Sequence, residues 1–185
     1  MRIFLAIFCL ASACSLAFAT NRPAVTKAYT DDAGTLHILT ADGRDHMIEP
    51  KKWQAGGGFS GIRIGPDRAT VGWLVNRTLT PLEAGTDYPL TVAVQLDIWR
   101  AGRVIRRVDS DKDIRFWIFL KDGNQVSFRQ APLHSDRSSY CTLFDVSTGK
   151  QLAQWSVEGK GYAAPDWAKL LLEDNQLPGP DGISN

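Results

Sequence analysis

Short runs of alternating apolar and polar residues, broken by turns rich in Gly and Asp, fill the chain from Val25 to Trp155. A period of two is the mark of strands that put one face into a core. Leu90, Val92, Val94, Leu96 and Ile98 interleave with Thr91, Ala93, Gln95 and Asp97, which predicts a long strand with the second set facing outward. Arg103 to Asp109 is its partner across Ala101-Gly102. Earlier, Thr35 to Thr40 and Arg44 to Glu49 form a hairpin, and a strand over Val25 to Thr30 leads into it through Asp32-Ala33-Gly34. Asp42-Gly43 reads as a two-residue turn with both positions at positive φ. That register sets His37 opposite Ile48 and Leu39 opposite His46, with the two histidines diagonal on one face. Phe59 to Ile64 and Ala69 to Val75 flank a turn at Gly65-Pro66-Asp67, and a loop runs from Asn76 to Pro89. Ala55-Gly56-Gly57-Gly58 is expected to be a flexible joint. It is not a phosphate cradle, because no lysine follows at the required spacing and a strand comes next.

The segment from Trp117 to Trp155 repeats this plan. An offset of 55 residues superimposes Ile62 on Trp117, Ile64 on Phe119, Asp67 on Asp122, Val71 on Val126 and Trp73 on Phe128. Matched apolar pleat positions at fixed spacing indicate a duplicated unit. Beyond Trp155 the pattern changes. Pro165 to Glu173 predicts a short helix, with Pro at its start, an acid in its first turn, and Trp167, Leu170 and Leu171 on one face. Residues 175–185, rich in Pro, Gly and polar side chains, are expected to be a mobile tail.

Leu120-Lys121-Asp122-Gly123-Asn124-Gln125-Val126-Ser127-Phe128 resembles the strand–turn–strand of WD-type and TolB-type β-propeller blades. Phe144 to Leu152 is similar to the third strand, tight turn and fourth strand of such a blade, and Ile64 to Trp73 resembles the first half again. The paired Gly-His and Trp-Asp signatures are absent. The resemblance implies an all-β fold of two to three blade-like antiparallel sheets packed together, with a short C-terminal helix. A closed propeller typically takes four to eight blades. The chain therefore packs its sheets face to face, forms an open arc plugged by the helix, or closes a ring with a second copy. A compact monomer is the favoured expectation.

Residues 1–19 read as a secretory signal: Arg2, an apolar run from Ile3 to Leu10, and a small-x-small cleavage site at Ala17-Phe18-Ala19. Cleavage after Ala19, a periplasmic or extracellular destination, and a β-repeat domain over residues 20–174 are the expectations; a lipid anchor through Cys14 is the alternative. Without the signal the chain keeps 20 basic and 20 acidic residues, since Arg2 is the only charge removed. That balance argues against broad nucleic-acid or anionic-membrane binding. Cys141 is then the remaining cysteine, so no internal disulfide forms and stability falls to the core. The six Trp, four Tyr and five Phe beyond residue 19 supply its bulk, with Trp53, Trp73 and Trp99 expected inside.

Candidate chemistry is sparse. His37, His46 and His134 could serve a metal-dependent or hydrolytic enzyme, but no motif of metal-ligand spacing and no nucleophile elbow occurs. No cofactor motif is present. The loop Pro132 to Tyr140 gathers His134, Asp136, Arg137 and Tyr140, and suits ligand or partner contact more than catalysis, because triads are assembled from separate elements. Cys141 lies within a strand and reads as an inert packing residue. Arg100, Arg103, Arg106 and Arg107 cluster around one hairpin among Asp97, Asp109, Asp111 and Asp113, either as a salt-bridged surface or as an anion patch. Arg103 and Arg106 join the loop as binding candidates. Asn76-Arg77-Thr78 matches a glycosylation sequon. The leading functional expectation is an exported non-catalytic module that binds a protein or cell-envelope component. An enzyme and a structural subunit of an envelope assembly are the alternatives.

Overall fold

The computed structural model describes residues 22–54, 56–133, 138–157 and 163–173. The predicted signal, the tail, and His134, Asp136 and Arg137 lie outside them. Among the described residues, eleven strands form three antiparallel meanders. The first sheet holds β1 (Val25–Thr30), β2 (Leu36–Thr40) and β3 (Asp45–Ile48). The second holds β4 (Phe59–Ile64), β5 (Thr70–Leu79), β6 (Leu90–Arg100) and β7 (Arg103–Asp109). The third holds β8 (Asp113–Leu120), β9 (Gln125–Ala131), β10 (Tyr140–Asp145) and β11 (Gln151–Ser156). Two helices accompany them, α1 (Pro81–Ala84) and α2 (Asp166–Glu173).

The sheets stack face to face, with the second in the middle. Val71, Trp73, Val75 and Trp99 pack against Val25, Leu36 and Ile38 of the first sheet. Leu74, Leu96, Ile98 and Val108, on the opposite face, pack against Ile114, Trp117, Val126 and Phe128 of the third. The first strands β1, β4 and β8 lie next to one another, and the stack does not close on itself. A middle sheet must be apolar on both faces, which corrects one expectation. Gln95 and Asp97 do not face outward but are buried beneath the first sheet. An unpaired Val94 opposite Val75/Asn76 shifts the alternation, so Ala93 joins Leu96 and Ile98.

The two ends of the stack are finished differently. Lys27, Tyr29, His37, Asp45 and Met47 give the first sheet a polar outer face, with Met47 66% exposed. The third sheet's outer face is apolar, and α2 covers it: Ala168 and Leu171 bury Cys141, flanked by Phe116, Ile118 and Trp155. A polar outer face at one end and an amphipathic helix over the apolar face at the other suit the two ends of a repeat stack to water.

Trp117 joins the second and third sheets. Its Nε1 donates to Gly61 O at 2.9 Å, and Gly61 sits at φ 56°. At the opposite edge two arginines hold the sheets together. Arg100 donates to Thr70 Oγ1 at 2.7 Å and to Gly123 O at 2.9 Å, and pairs with Asp67 at 3.6 Å. Arg106 donates Nε to Val146 O at 2.8 Å and a further N–H to Ser147 O. Gly123 faces Asp67, so the turns related by the 55-residue repeat meet in space.

Several local expectations change. The Asp42-Gly43 turn is a three-residue loop: Thr40 N bonds Arg44 O at 3.0 Å, Gly43 N bonds Thr40 O at 2.9 Å, and Gly43 sits at φ 82°. This is a type I turn with a glycine bulge. Its extra residue slips the register by one, pairing His37 with Met47 and Ile38 with His46. A one-residue slip reverses faces, so His37 points outward and His46 points inward, where its ring meets Trp99 at 5.1 Å. By contrast Ala101 and Gly102 (φ 52° and 84°) form the two-residue turn expected. Residues 56–58 are a packed crossing rather than a joint. Gln54 Nε2 donates to Gly58 O at 2.8 Å, and a Cβ on Gly57 would lie 2.4 Å from the Asn76 backbone. β5 runs through Asn76 to Leu79, and the Asn76 amide is buried with its Oδ1 bonded to Ser60, so the sequon is not an exposed loop. The rest of the expected loop contains α1, set by a Thr80–Glu83 capping box, Pro81 and a left-handed Gly85.

Candidate functional site

Of the sequence-predicted binding residues that the structure describes, Arg103 and Arg106 lie near one end of β10 and Tyr140 at the other. Arg103 and Arg106 belong to the β6–β7 hairpin that meets the Val146–Ser147 turn, whereas Tyr140 opens β10 at the far end. The ammonium of Lys112 stands 4.4 Å above the Tyr140 ring.

Beside Tyr140 a groove of about 680 Å³ runs between the ends of the second and third sheets. Leu79, Val92, Val94 and Leu133 line it with apolar surface, and Arg77, Ser110, Asp111 and Lys112 carry its polar positions. Pro132 and Leu133, the described flank of the predicted contact loop, form part of the wall. Trp53 stands in it too. It is the middle residue of the short turn Lys52–Gln54, is 45% exposed, and has the Lys51 ammonium 5.9 Å above its ring. The expectation that Trp53, Trp73 and Trp99 are all core therefore holds for the last two, which are buried, and fails for Trp53. Trp73 and Trp99 sit on central strands that pleat them inward. Trp53 sits on a connector after Pro50, where no pleat fixes its side.

The histidines separate. His37 is held between two carboxylates, with Nδ1 2.8 Å from Asp45 Oδ2 and Nε2 3.3 Å from Asp31 Oδ2, and it stacks on Tyr29 at 5.1 Å. The Asp45 and Asp31 bonds raise its pKa above the ordinary 6.5, and bonding to Thr35 N, with help from His37, lowers that of Asp31. Both ring nitrogens are engaged, and the arrangement pins a hairpin rather than presenting a base. Among the described residues no group of three or more His, Cys, Asp or Glu is placed to hold a metal. Burial pushes the Cys141 thiol up to about 11, so the thiolate needed for nucleophilic chemistry is disfavoured.

Asp97 is a second unusual group. The residue is 6% exposed, Oδ1 has no hydrogen-bond partner among the described residues, and Oδ2 lies 3.7 Å from Arg107 Nε. Loss of water pushes its pKa up to about 6, against the opposing pull of Arg107 and Lys51.

No family model matches the chain, and no curated protein matches it. Among solved structures it is similar to an acylaminoacyl peptidase from Pyrococcus horikoshii at 12% identity and TM-score 0.42, with 74% of this chain and 25% of that one covered. A eukaryotic initiation factor is matched at 10% identity and TM-score 0.33, covering 71% of this chain and 42% of that one. The chain thus spans a quarter of the first and under half of the second, and at these scores neither likeness carries an argument.

Proposed function

We propose that this protein is an exported, non-catalytic β-repeat module, built from propeller-type blades, that binds a protein or cell-envelope component along the Trp53 groove. The half-exposed indole in a groove of about 680 Å³ carries the reading. A large aromatic left in water inside an apolar trough, with charges at its margin, matches the makeup of binding surfaces. The blade reading is supported by two meanders of identical strand order at a 55-residue offset. The signal-like run at residues 1–19 supports export.

The test is co-purification from an envelope extract, with mature wild type and Trp53→Ala as baits. A partner retained by wild type and lost by the variant, at equal melting temperature, supports the reading. Nothing retained by wild type, or equal retention by both, contradicts it.

A further inference from the structure

At the far end of β6 from Trp53, roughly 30 Å along an eleven-residue strand, lies a second groove. It encloses about 510 Å³ between the β6–β7 hairpin and the β10–β11 turn. Arg22, Arg100, Arg103 and Arg106 line it, and among the described residues no acidic side chain does. Ala101, Val104, Ile105 and Val146 supply an apolar wall.

The charge state of these arginines decides what the groove can hold. Arg106 is oriented by the carbonyls of Val146 and Ser147, which fix the guanidinium without neutralising it. Arg103 and Arg22 are exposed and have no ion-pair partner among the described residues. Arg100 has one carboxylate near it, Asp67 at 3.6 Å. The acid nearest in the adjoining turn, Asp145, is engaged by its own loop. It accepts from Ser147 Oγ at 2.6 Å, Thr148 N at 2.7 Å and Thr148 Oγ1 at 2.9 Å, and those bonds hold its pKa at about 2. Four guanidiniums therefore share a concave site against two neighbouring carboxylates, Asp67 and Asp145, so the groove keeps a net positive charge although the whole chain is nearly neutral. Planar forks with their carbons already positioned suit a tetrahedral oxyanion and bind it by paired N–H bonds.

The geometry points to a phosphoryl-binding site: the groove takes a phosphate group, with Arg103, Arg106 and Arg22 donating to its oxygens and the apolar wall covering whatever the phosphate is attached to. The volume admits a phosphate with a small organic substituent. Two sources share this chemistry, a free phosphomonoester and an anionic phospholipid headgroup. This site is independent of the Trp53 groove, so either can fail without the other.

The test is titration of the ¹⁵N-labelled mature protein with glycerol phosphate, alongside sedimentation with phosphatidylglycerol vesicles. Saturable shifts of the amides from Ala101 to Arg106 and of Ser147, weakened roughly tenfold or more in Arg22→Gln/Arg103→Gln, support a site for free phosphomonoesters. Vesicle binding lost in the same variant, without a response to glycerol phosphate, supports the headgroup source. No response to either probe overturns the proposal, as does a response that the double substitution leaves unchanged. Both substituted side chains are exposed, so the variant retains the fold; its melting temperature confirms this.

Discussion

The indole of Trp117 occupies the space that a side chain on Gly72 would need. A Cβ at Gly72 would lie 2.4 Å from Trp117 Cη2 and 2.9 Å from Ile98 Cδ1. Gly72 is in β5, one of the two central strands of the middle sheet, and Trp117 is in the first strand of the third. The absence of a side chain in one sheet is thus what seats the largest side chain of the next.

Gly72→Ala is therefore expected to destabilise the protein through overpacking, by about 1–3 kcal/mol or more. Trp117→Ala is expected to cost about 3–5 kcal/mol. Because the two share one space, their effects should not add: Gly72→Ala in a Trp117→Ala background should cost much less than it does alone. Denaturant unfolding of the four proteins measures this, and additive losses would refute the contact.

Arg106 is expected to act as a staple between the second and third sheets. Arg106→Ala removes two hydrogen bonds to backbone carbonyls and should cost about 1–3 kcal/mol. Arg103→Ala, exposed on the same hairpin, should change stability by less than about 0.5 kcal/mol. Equal effects in chemical denaturation would show that neither arginine bridges the sheets.

Asp97 makes stability fall as pH rises. Its carboxyl pKa is raised in the folded chain, from 3.8 to about 6, so folding disfavours the ionised form. The penalty is absent below pH 4, grows between 4 and 6, and is complete above, with a ceiling of about 3 kcal/mol. Asp97→Asn should therefore be more stable than wild type at pH 8 and indistinguishable at pH 4. Urea unfolding at both values checks it; a variant less stable at pH 8 would show that the Arg107 contact outweighs desolvation.

His37 titrates in the same direction for a different reason. Its folded pKa is raised above 6.5, so the stability it contributes is present below that value and is lost as pH rises through the folded pKa. A ¹H–¹³C titration of the ring should give a midpoint above 6.5 that drops on Asp45→Asn. An unchanged midpoint would mean that the carboxylate does not hold the ring.

The outer faces of the stack also bear on assembly. One is polar and the other lies under α2, so two copies have no matching faces with which to complete a ring. Sedimentation should find a monomer at high concentration. A chain ending at residue 157 exposes Phe116, Ile118 and Trp155 and should self-associate. A stable full-length dimer would contradict this.

The strands, the hairpin at Ala101-Gly102 and the duplicated plan were legible because pleat periodicity and turn chemistry are local. The His37 register was not. Asp-Gly suits both a two-residue turn and the bulged three-residue loop, and the choice between them reverses every face of the hairpin. The buried position of Asp97 was hidden for another reason: a polar residue in an alternating strand reads as outward until a second sheet is known to cover it. The α1 capping box is readable in Thr80-Pro81-Leu82-Glu83, but the Gly, Pro and polar residues around it give that stretch the composition of a loop. At the arginine-lined groove, clustering marked Arg103 and Arg106. Arg22 and the carbonyls that orient Arg106 come from segments distant in sequence.

The face-to-face stacking of the second and third sheets is tested most directly by nuclear Overhauser contacts between the Trp117 Hη2 proton and the Gly72 Hα protons. A strong cross-peak, with a Trp117 indole N–H protected from exchange by Gly61 O, is the expected result. No cross-peak and a rapidly exchanging indole would mean that these sheets do not pack in this way.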